Sequence, residues 1–498
     1  MPLCSQIKLR HVCSVAFIVV MTAASFLPAS ATAQIDHYNM VFIMLDDLGK
    51  EWVSCFGAED IETPNIDALA NSGTKFNNFY CMPQCTPTRL TLLTGQYPYR
   101  HGWVNHWDVP RWGGGCSFDP KRNPSFPTAI RDAGYATVAA GKWQIDDFRV
   151  EPNAMKDAGF DKYCMWTGYE SGNKPSSKRY QDAYVFEDGK SKTRKGKFGP
   201  DVFTDYLVDF IGDNKARPMF IYYPMALPHG PLVPTPDAPN AKGKLERHKA
   251  MVRYADKLVG RIVSAISENG LRKNTIIVFT TDNGSGGITG TLNGRKVQGG
   301  KAKTTENGVC VPFIVSCPGR IAEGAESSAL IDITDIAPTF CELAKVEQAN
   351  KSFDGKSFRM VLDGKSKESN RKWIMAMGGG NFAKLTDAGV ENQYWFRDRV
   401  LRNERYKAFI GADRKLVKLV DVQNDFKETN DVQFAESVEI QNAKKMFMDA
   451  VAKMPKRDAD PIYTPLEHRD WYKKPSTKTE VWKKGYPEKR ESAPEKLP

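Results

Sequence analysis

The chain has no Cys-x-x-Cys pair, no internal repeat, no nucleic-acid-binding motif and, beyond residue 33, no stretch that would span a bilayer. The first absence speaks against a zinc site of the paired-thiolate kind. The second speaks against a solenoid or propeller. The third leaves the basic charge without a nucleic-acid partner, and the fourth leaves the body of the chain outside the membrane. What is present is ordinary in bulk: 498 residues, 41% hydrophobic and 26% charged. That is enough for two to three average domains, or for one large α/β core with an appendage. The net charge of +11 favours an anionic partner such as acidic lipid or a polyanionic glycan.

The first residues read as an export signal. Lys8, Arg10 and His11 form a basic start, and Val12 to Leu27 is an apolar run short for a membrane span. Ala31-Thr32-Ala33 offers a small-x-small cleavage site, with an uncleaved anchor as the alternative. Residues 1–33 are thus expected to be removed, giving a periplasmic or secreted protein with no stable membrane insertion. Cys4 and Cys13 would leave with them, so eight of ten cysteines remain, some of which could pair in an oxidising compartment.

Continuous apolar runs at Asn39–Leu45, Tyr135–Ala140, Met219–Met225, Thr275–Thr281 and Pro312–Ser316 predict buried parallel strands. Helical patterns lie between them, at Asp67–Asn71, Thr88–Leu93, Ser125–Asp132, Asp201–Ile211, Leu245–Ser267 and Asp335–Lys345. Strands alternating with helices predict an α/β fold with a large mixed, mostly parallel sheet sandwiched by helices. After about residue 365 the pattern changes. Trp373–Met377, Trp395–Leu401, Tyr406–Ile410 and Leu416–Val420 predict short antiparallel strands, and Glu436–Met454 predicts one helix. The expected divisions are a catalytic domain over 34–365, a smaller C-terminal α+β subdomain over 366–454 and a charged, Pro-rich tail over 455–498.

Two strands end in oxygen-bearing pairs: Asp46-Asp47 after the first, and Asp282-Asn283 after Thr275–Thr281. Open α/β sheets place ligands at such carboxyl ends. Four oxygen donors without thiolate or imidazole suit calcium or magnesium. Taken singly, either pair would read as a turn or cap. A third feature is Cys85-Thr-Pro87-Thr-Arg89. Pro87 suits a first helical turn, which puts Cys85 at a helix N-terminus with Arg89 on the same face. On spacing alone, Cys85 stays open between a disulfide partner of Cys81 and the reactive group of an anion pocket.

Cys85-x-Pro-x-Arg89 followed by Leu-x-x-Leu-Thr-Gly95 resembles the motif of the type I sulfatases of the alkaline phosphatase superfamily. Further segments resemble that family in order: Asn39–Asp47, Thr63–Asp67, Gly141-Lys142-Trp143, Pro228-His229-x-Pro231, Thr281–Gly284, Gly300-Lys301 and Asp354–Ser357, covering about 38 to 430. The resemblance implies an alkaline phosphatase-like fold and a sulfuric ester hydrolase whose Cys85 is converted to Cα-formylglycine by a maturation enzyme. It implies one calcium ion held by Asp46, Asp47, Asp282, Asn283 and the modified Cys85. Arg89 and Lys142 would stabilise the nucleophile, while Lys301 and His229 would meet the sulfate and the leaving oxygen, with His229 the general acid. Gln144 stands where the family often carries His; it is expected to contact substrate but carries no proton at neutral pH. Cys310 stands where Arg is common.

The expected substrate is a sulfated carbohydrate. A phosphonate monoester or phosphodiester hydrolase of the same superfamily is one alternative. A catalytically impaired sulfated-glycan-binding protein is the other, prompted by Gln144. Residues 171–197 carry eight Lys and Arg against Asp182, Glu187 and Asp188, and would either hold a polyanion or form a solvated loop. Trp103, His106 and Trp107 would either line the pocket or pack in the core.

Overall fold

In the computed structural model, the described residues are 37–460 without 105–117, 147, 149–150, 167–178, 347–352, 379–382, 387–388 and 393–394. The export signal, His106, Trp107, Cys116 and most of the tail lie outside them.

Ten strands form one sheet. In chain order they are β1 (Asn39–Leu45), β2 (Gly73–Phe76), β3 (Ala136–Lys142), β4 (Lys162–Trp166), β5 (Tyr184–Glu187), β6 (Lys190–Thr193), β7 (Met219–Pro224), β8 (Thr275–Thr281), β9 (Phe313–Ser316) and β10 (Ala325–Ser327). Their spatial order is β10-β2-β9-β8-β1-β7-β3-β4-β5-β6. The centre, β8-β1-β7-β3-β4, is parallel throughout. Antiparallel pairing enters only towards the sides, through β5 and β6 and through β9, which the sequence predicts as parallel but which runs antiparallel to both neighbours, since an apolar run marks burial and not direction.

The central strands are apolar at successive positions because both sheet faces are covered. Along β1, Met40, Phe42 and Met44 join one apolar cluster, while Val41, Ile43 and Leu45 join the other. The main helices are α1 (Pro64–Asn71), α2 (Cys85–Thr94), α3 (Phe126–Asp132), α4 (Gly199–Asn214), α5 (Gly243–Glu268), α6 (Ile336–Leu343) and α7 (Val438–Lys453). Leu90 and Leu93 of α2, Ile130 of α3 and Phe340 of α6 fill the first cluster. Leu69 of α1, Phe203 of α4 and Leu258 of α5 fill the second.

The C-terminal strands β11 (Ile374–Met377), β12 (Arg399–Arg402), β13 (Tyr406–Ile410) and β14 (Leu416–Asp421) form an antiparallel sheet, as the sequence predicts. Its Leu401, Ala408 and Leu419 share the first cluster with Phe447 of α7. The run predicted over Trp395–Leu401 becomes strand only from Arg399. Strands β2, β4, β5 and β10 are too short to stand out as apolar runs, and β6, Lys190–Thr193 (KSKT), has no apolar residue to mark it. Trp103 is buried in the first cluster, which decides for core packing.

Candidate active site

Four neighbouring parallel strands deliver the chemistry to one edge. Leu45 at the end of β1 pairs with Thr281 at the end of β8, so Asp46-Asp47 and Asp282-Asn283 emerge side by side. Lys142 is the last residue of β3, and His229 follows β7. Strands and turns pack closely here. Gly141, at φ +131°, would place a Cβ 2.0 Å from the Pro224 carbonyl oxygen, which only glycine avoids. Asp47 and Gln144 adopt left-handed backbone at φ 65° and 54°. Side-chain-bearing residues rarely sit there unless their surroundings impose it.

Helix α2 aims its N-terminus at this edge. Gln84 is extended and Cys85 opens the helix, as Pro87 in the first turn leads one to expect, so the helix begins three residues before its apolar pattern at Thr88. Thr88 Oγ1 lies 2.7 Å from the Asp282 carbonyl oxygen and locks helix to strand end. Cys85, Asp46 and Asp282 each offer one ligand atom, mutually within 4.8 Å. Cys81 and Cys85 are both free, so the disulfide alternative falls. The Gln144 Oε1 atom lies 3.8 Å from Cys85 Sγ.

Every cation expected at the site is matched to a carboxylate. Arg89 donates to Asp282 at 2.7 Å and to the Lys142 carbonyl at 2.9 Å, with Asp46 at 3.5 Å. Lys142 pairs with Asp46, and Lys301 lies 2.7 Å from Asp47. The Asn283 amide donates to Asp47 at 2.8 Å. His229 Nε2 lies 3.6 Å from Asp47 Oδ2. All ten residues expected at the site are therefore brought together.

Burial works to raise the Asp46 carboxyl, but Lys142 and the neighbouring cations outweigh it and hold it well below the usual carboxylate range. Burial, reinforced by the Asp46 charge, pushes Asp282 up to about 7. Burial and then Lys301 pull His229 down to about 3. Asp46 Oδ1 and Asn283 Oδ1 are buried without a hydrogen-bond partner among the described residues. Buried oxygens without partners are costly. An all-oxygen set with two such atoms fits a hard divalent cation.

The family model described as "Sulfatase" matches residues 38–346. The chain belongs to the sulfatase family. A second model, described as "N-sulphoglucosamine sulphohydrolase, C-terminal", matches 301–456. The sulfatase is 30% identical over 365 residues to N-acetylgalactosamine-6-sulfatase of Mus musculus, covering 68% of each chain. It resembles the crystal structure of Ps i-CgsB in complex with k-i-k-neocarrahexaose, at 26% identity and TM-score 0.68, covering 83% of this chain and 93% of that one. Phosphonate monoester hydrolase SpPMH from Silicibacter pomeroyi, at 20% identity and TM-score 0.60, covers 84% of this chain and 96% of that one and shares the fold. The sulfatase is a sulfuric ester hydrolase with the large mixed sheet that its sequence predicts.

Sequence reading missed several residues around the centre. Thr88 looked like an ordinary helix residue. Glu51 and Ser285 form a buried pair at 2.5 Å; nothing in the sequence sets Glu51 apart from a surface acid. In the sequence Arg179 is one cation of a basic run; in the structure its Nη1 lies 3.2 Å from His229 Nδ1. The Cys310 departure is local: Lys50 Nζ lies 3.0 Å from its sulfur.

Proposed function

We propose that this sulfatase hydrolyses a sulfate ester on a sulfated carbohydrate, releasing the alcohol and inorganic sulfate, with formylglycine made from Cys85 as nucleophile. The observation that carries this reading is Cys85 at the start of a buried helix, within 4.8 Å of Asp46 and Asp282. Asp46, Asp47, Asp282, Asn283 and the modified Cys85 would hold one calcium ion. Bound there, calcium supplies positive charge that binds a sulfate oxygen and draws electrons from sulfur.

In the converted enzyme one hydroxyl of the hydrated aldehyde would give its proton to solvent and attack sulfur while the bond from sulfur to the departing alcohol breaks. Lys142 and Arg89 stabilise the negative charge at the nucleophile. Lys301 holds the sulfate, and His229 gives a proton to the leaving oxygen. Without substrate His229 is neutral; an arriving sulfate anion favours its protonated form. The remaining hydroxyl would then lose its proton to solvent, its oxygen would reform the carbonyl, and the carbon–oxygen bond to the sulfate would break and release sulfate. Water adds to the aldehyde to restore the hydrate. A serine could not complete this cycle, because its sulfate ester has no adjacent hydroxyl to drive release. Gln144 offers hydrogen bonds beside the nucleophile but no proton relay.

The carbohydrate substrate is supported by the sulfated sugar in the mouse relative's name and by the neocarrahexaose bound to Ps i-CgsB. The leader at 1–33 supports export, and no helix among the described residues is long and apolar enough to cross a membrane. Residues 34–365 would form the catalytic domain and 366–454 the C-terminal subdomain, with conversion of Cys85 left to a maturation enzyme. The decisive experiment joins peptide mass spectrometry across Cys85 with sulfate-release assays on a panel of sulfated glycans. An unmodified thiol with undiminished activity refutes the nucleophile. Glycan binding without sulfate release, despite formylglycine and calcium, establishes the impaired binding protein instead.

A further inference from the structure

The cations of the catalytic centre each face a carboxylate; Arg179 does not. Its residue is 4% exposed, yet no carboxylate among the described residues lies within ion-pair distance. Its Nη1 lies 3.2 Å from His229 Nδ1, its Cζ sits 4.3 Å from the centre of the Trp166 ring, and its Nε has no hydrogen-bond partner among the described residues. A guanidinium removed from water without a counter-charge is costly. The imidazole is no substitute, since it carries no negative charge in either protonation state.

The position is built into the fold. Gly199 N, at the start of α4, donates to the Tyr180 carbonyl at 2.6 Å. A Cβ on Gly199 would fall 2.2 Å from the Arg179 carbonyl oxygen, so glycine permits this approach. The Tyr180 hydroxyl reaches the carbonyls of Ala226 and His229. The Arg179 backbone and the His229 turn are thus tied together. On its other side His229 faces Asp47. Arg179 therefore stands one imidazole away from the carboxylate–lysine centre.

We propose that Arg179 forms a second anion-binding subsite, which takes a further carboxylate or sulfate on the same substrate molecule. The proposal rests on the sulfated-carbohydrate reading above, which puts the departing alcohol beside His229. A planar guanidinium suits either oxyanion, with two parallel N–H donors.

The test measures kcat/KM for sulfate release from monosulfated sugars and from congeners carrying either a second sulfate or a neighbouring uronate. In the wild-type enzyme the second anion is expected to raise kcat/KM by about tenfold or more; the congener that gains tells sulfate from carboxylate. R179Q is expected to bring that ratio to within about threefold of one, and R179K to keep most of it. A role confined to orienting His229 lowers kcat/KM on all substrates alike and leaves the ratio unchanged, which overturns the subsite. Equal wild-type kcat/KM with and without the second anion overturns it too, whether or not any variant folds. No sulfate release from any sugar or from 4-nitrophenyl sulfate is a different result: it defeats the catalytic reading, and the subsite falls with it.

Discussion

Replacing Arg371 with methionine strips a guanidinium from two buried carboxylates and tests what fixes the far end of the nucleophile helix. Arg371 donates to Asp335 at 2.9 Å and to Thr334 Oγ1 at 2.6 Å, lies 3.4 Å from Asp332 and reaches the Tyr97 hydroxyl at 3.3 Å. Tyr97 follows Gly95, the C-cap of α2, and its oxygen accepts from Met375 N of β11 at 3.2 Å. The network thus joins the helix bearing Cys85 to the C-terminal sheet. Breaking a buried ion pair on one side costs about 3–5 kcal/mol, because the other charge stays buried. At roughly 2 cal/mol/K per residue, a chain of this size unfolds with about 1 kcal/mol/K of entropy, so the melting temperature should drop by about 3–5 °C.

The pH dependence sharpens the test. Burial, helped by Asp332, already raises Asp335 to about 6 from 3.8, with Arg371 opposing. A carboxyl raised on folding stabilises most below its unfolded pKa, and that stability is lost as pH rises through the folded value. R371M removes the opposing cation and moves this loss to higher pH. Its deficit against wild type should therefore grow between pH 6 and pH 8 in calorimetry. R371M/D335N should recover at least half of the deficit. A deficit below about 1 kcal/mol, or one equal at both pH values, refutes the reasoning.

Cys85→Ser should keep the fold by circular dichroism and lose turnover by at least about a thousandfold, with sulfate trapped on the substituted hydroxyl in intact mass spectra; unchanged turnover rejects the formylglycine cycle. Exhaustive chelation should abolish sulfate release and lower the melting temperature by about 3 °C, the effect of losing a ligand held at a hundredfold above its Kd. Calcium should restore both, and indifference to chelation rejects the metal. Q144H places an imidazole beside Cys85; if proton transfer there limits the rate, kcat should rise by about tenfold or more with a new limb in the pH profile near 6–7. An unchanged profile shows that another group already carries that proton.

The sequence by itself determined four of the five central strands, because a parallel strand covered on both faces must be apolar at successive positions, as the runs at Asn39–Leu45 and Thr275–Thr281 are; β4 opens on the exposed Lys162 and stayed hidden. The sequence also exposed the oxygen pairs at the ends of both runs and the helix opening at Cys85-x-Pro-x-Arg89, since ligand sites at strand ends and helix starts are local properties of the chain. Edge elements were less legible: β6 needs no apolar side chain when its faces meet solvent. Only the tertiary structure made Asp46 and Asp282 neighbours, because strand order is fixed by packing and not by succession along the chain. It matched Lys142 to Asp46 and Lys301 to Asp47, and it turned Asp47 into left-handed backbone. It also left Arg179 buried with no carboxylate opposite among the described residues. In the sequence Arg179 is one of eight cations in a basic segment; whether a charge has a partner depends on which distant side chains the fold brings beside it.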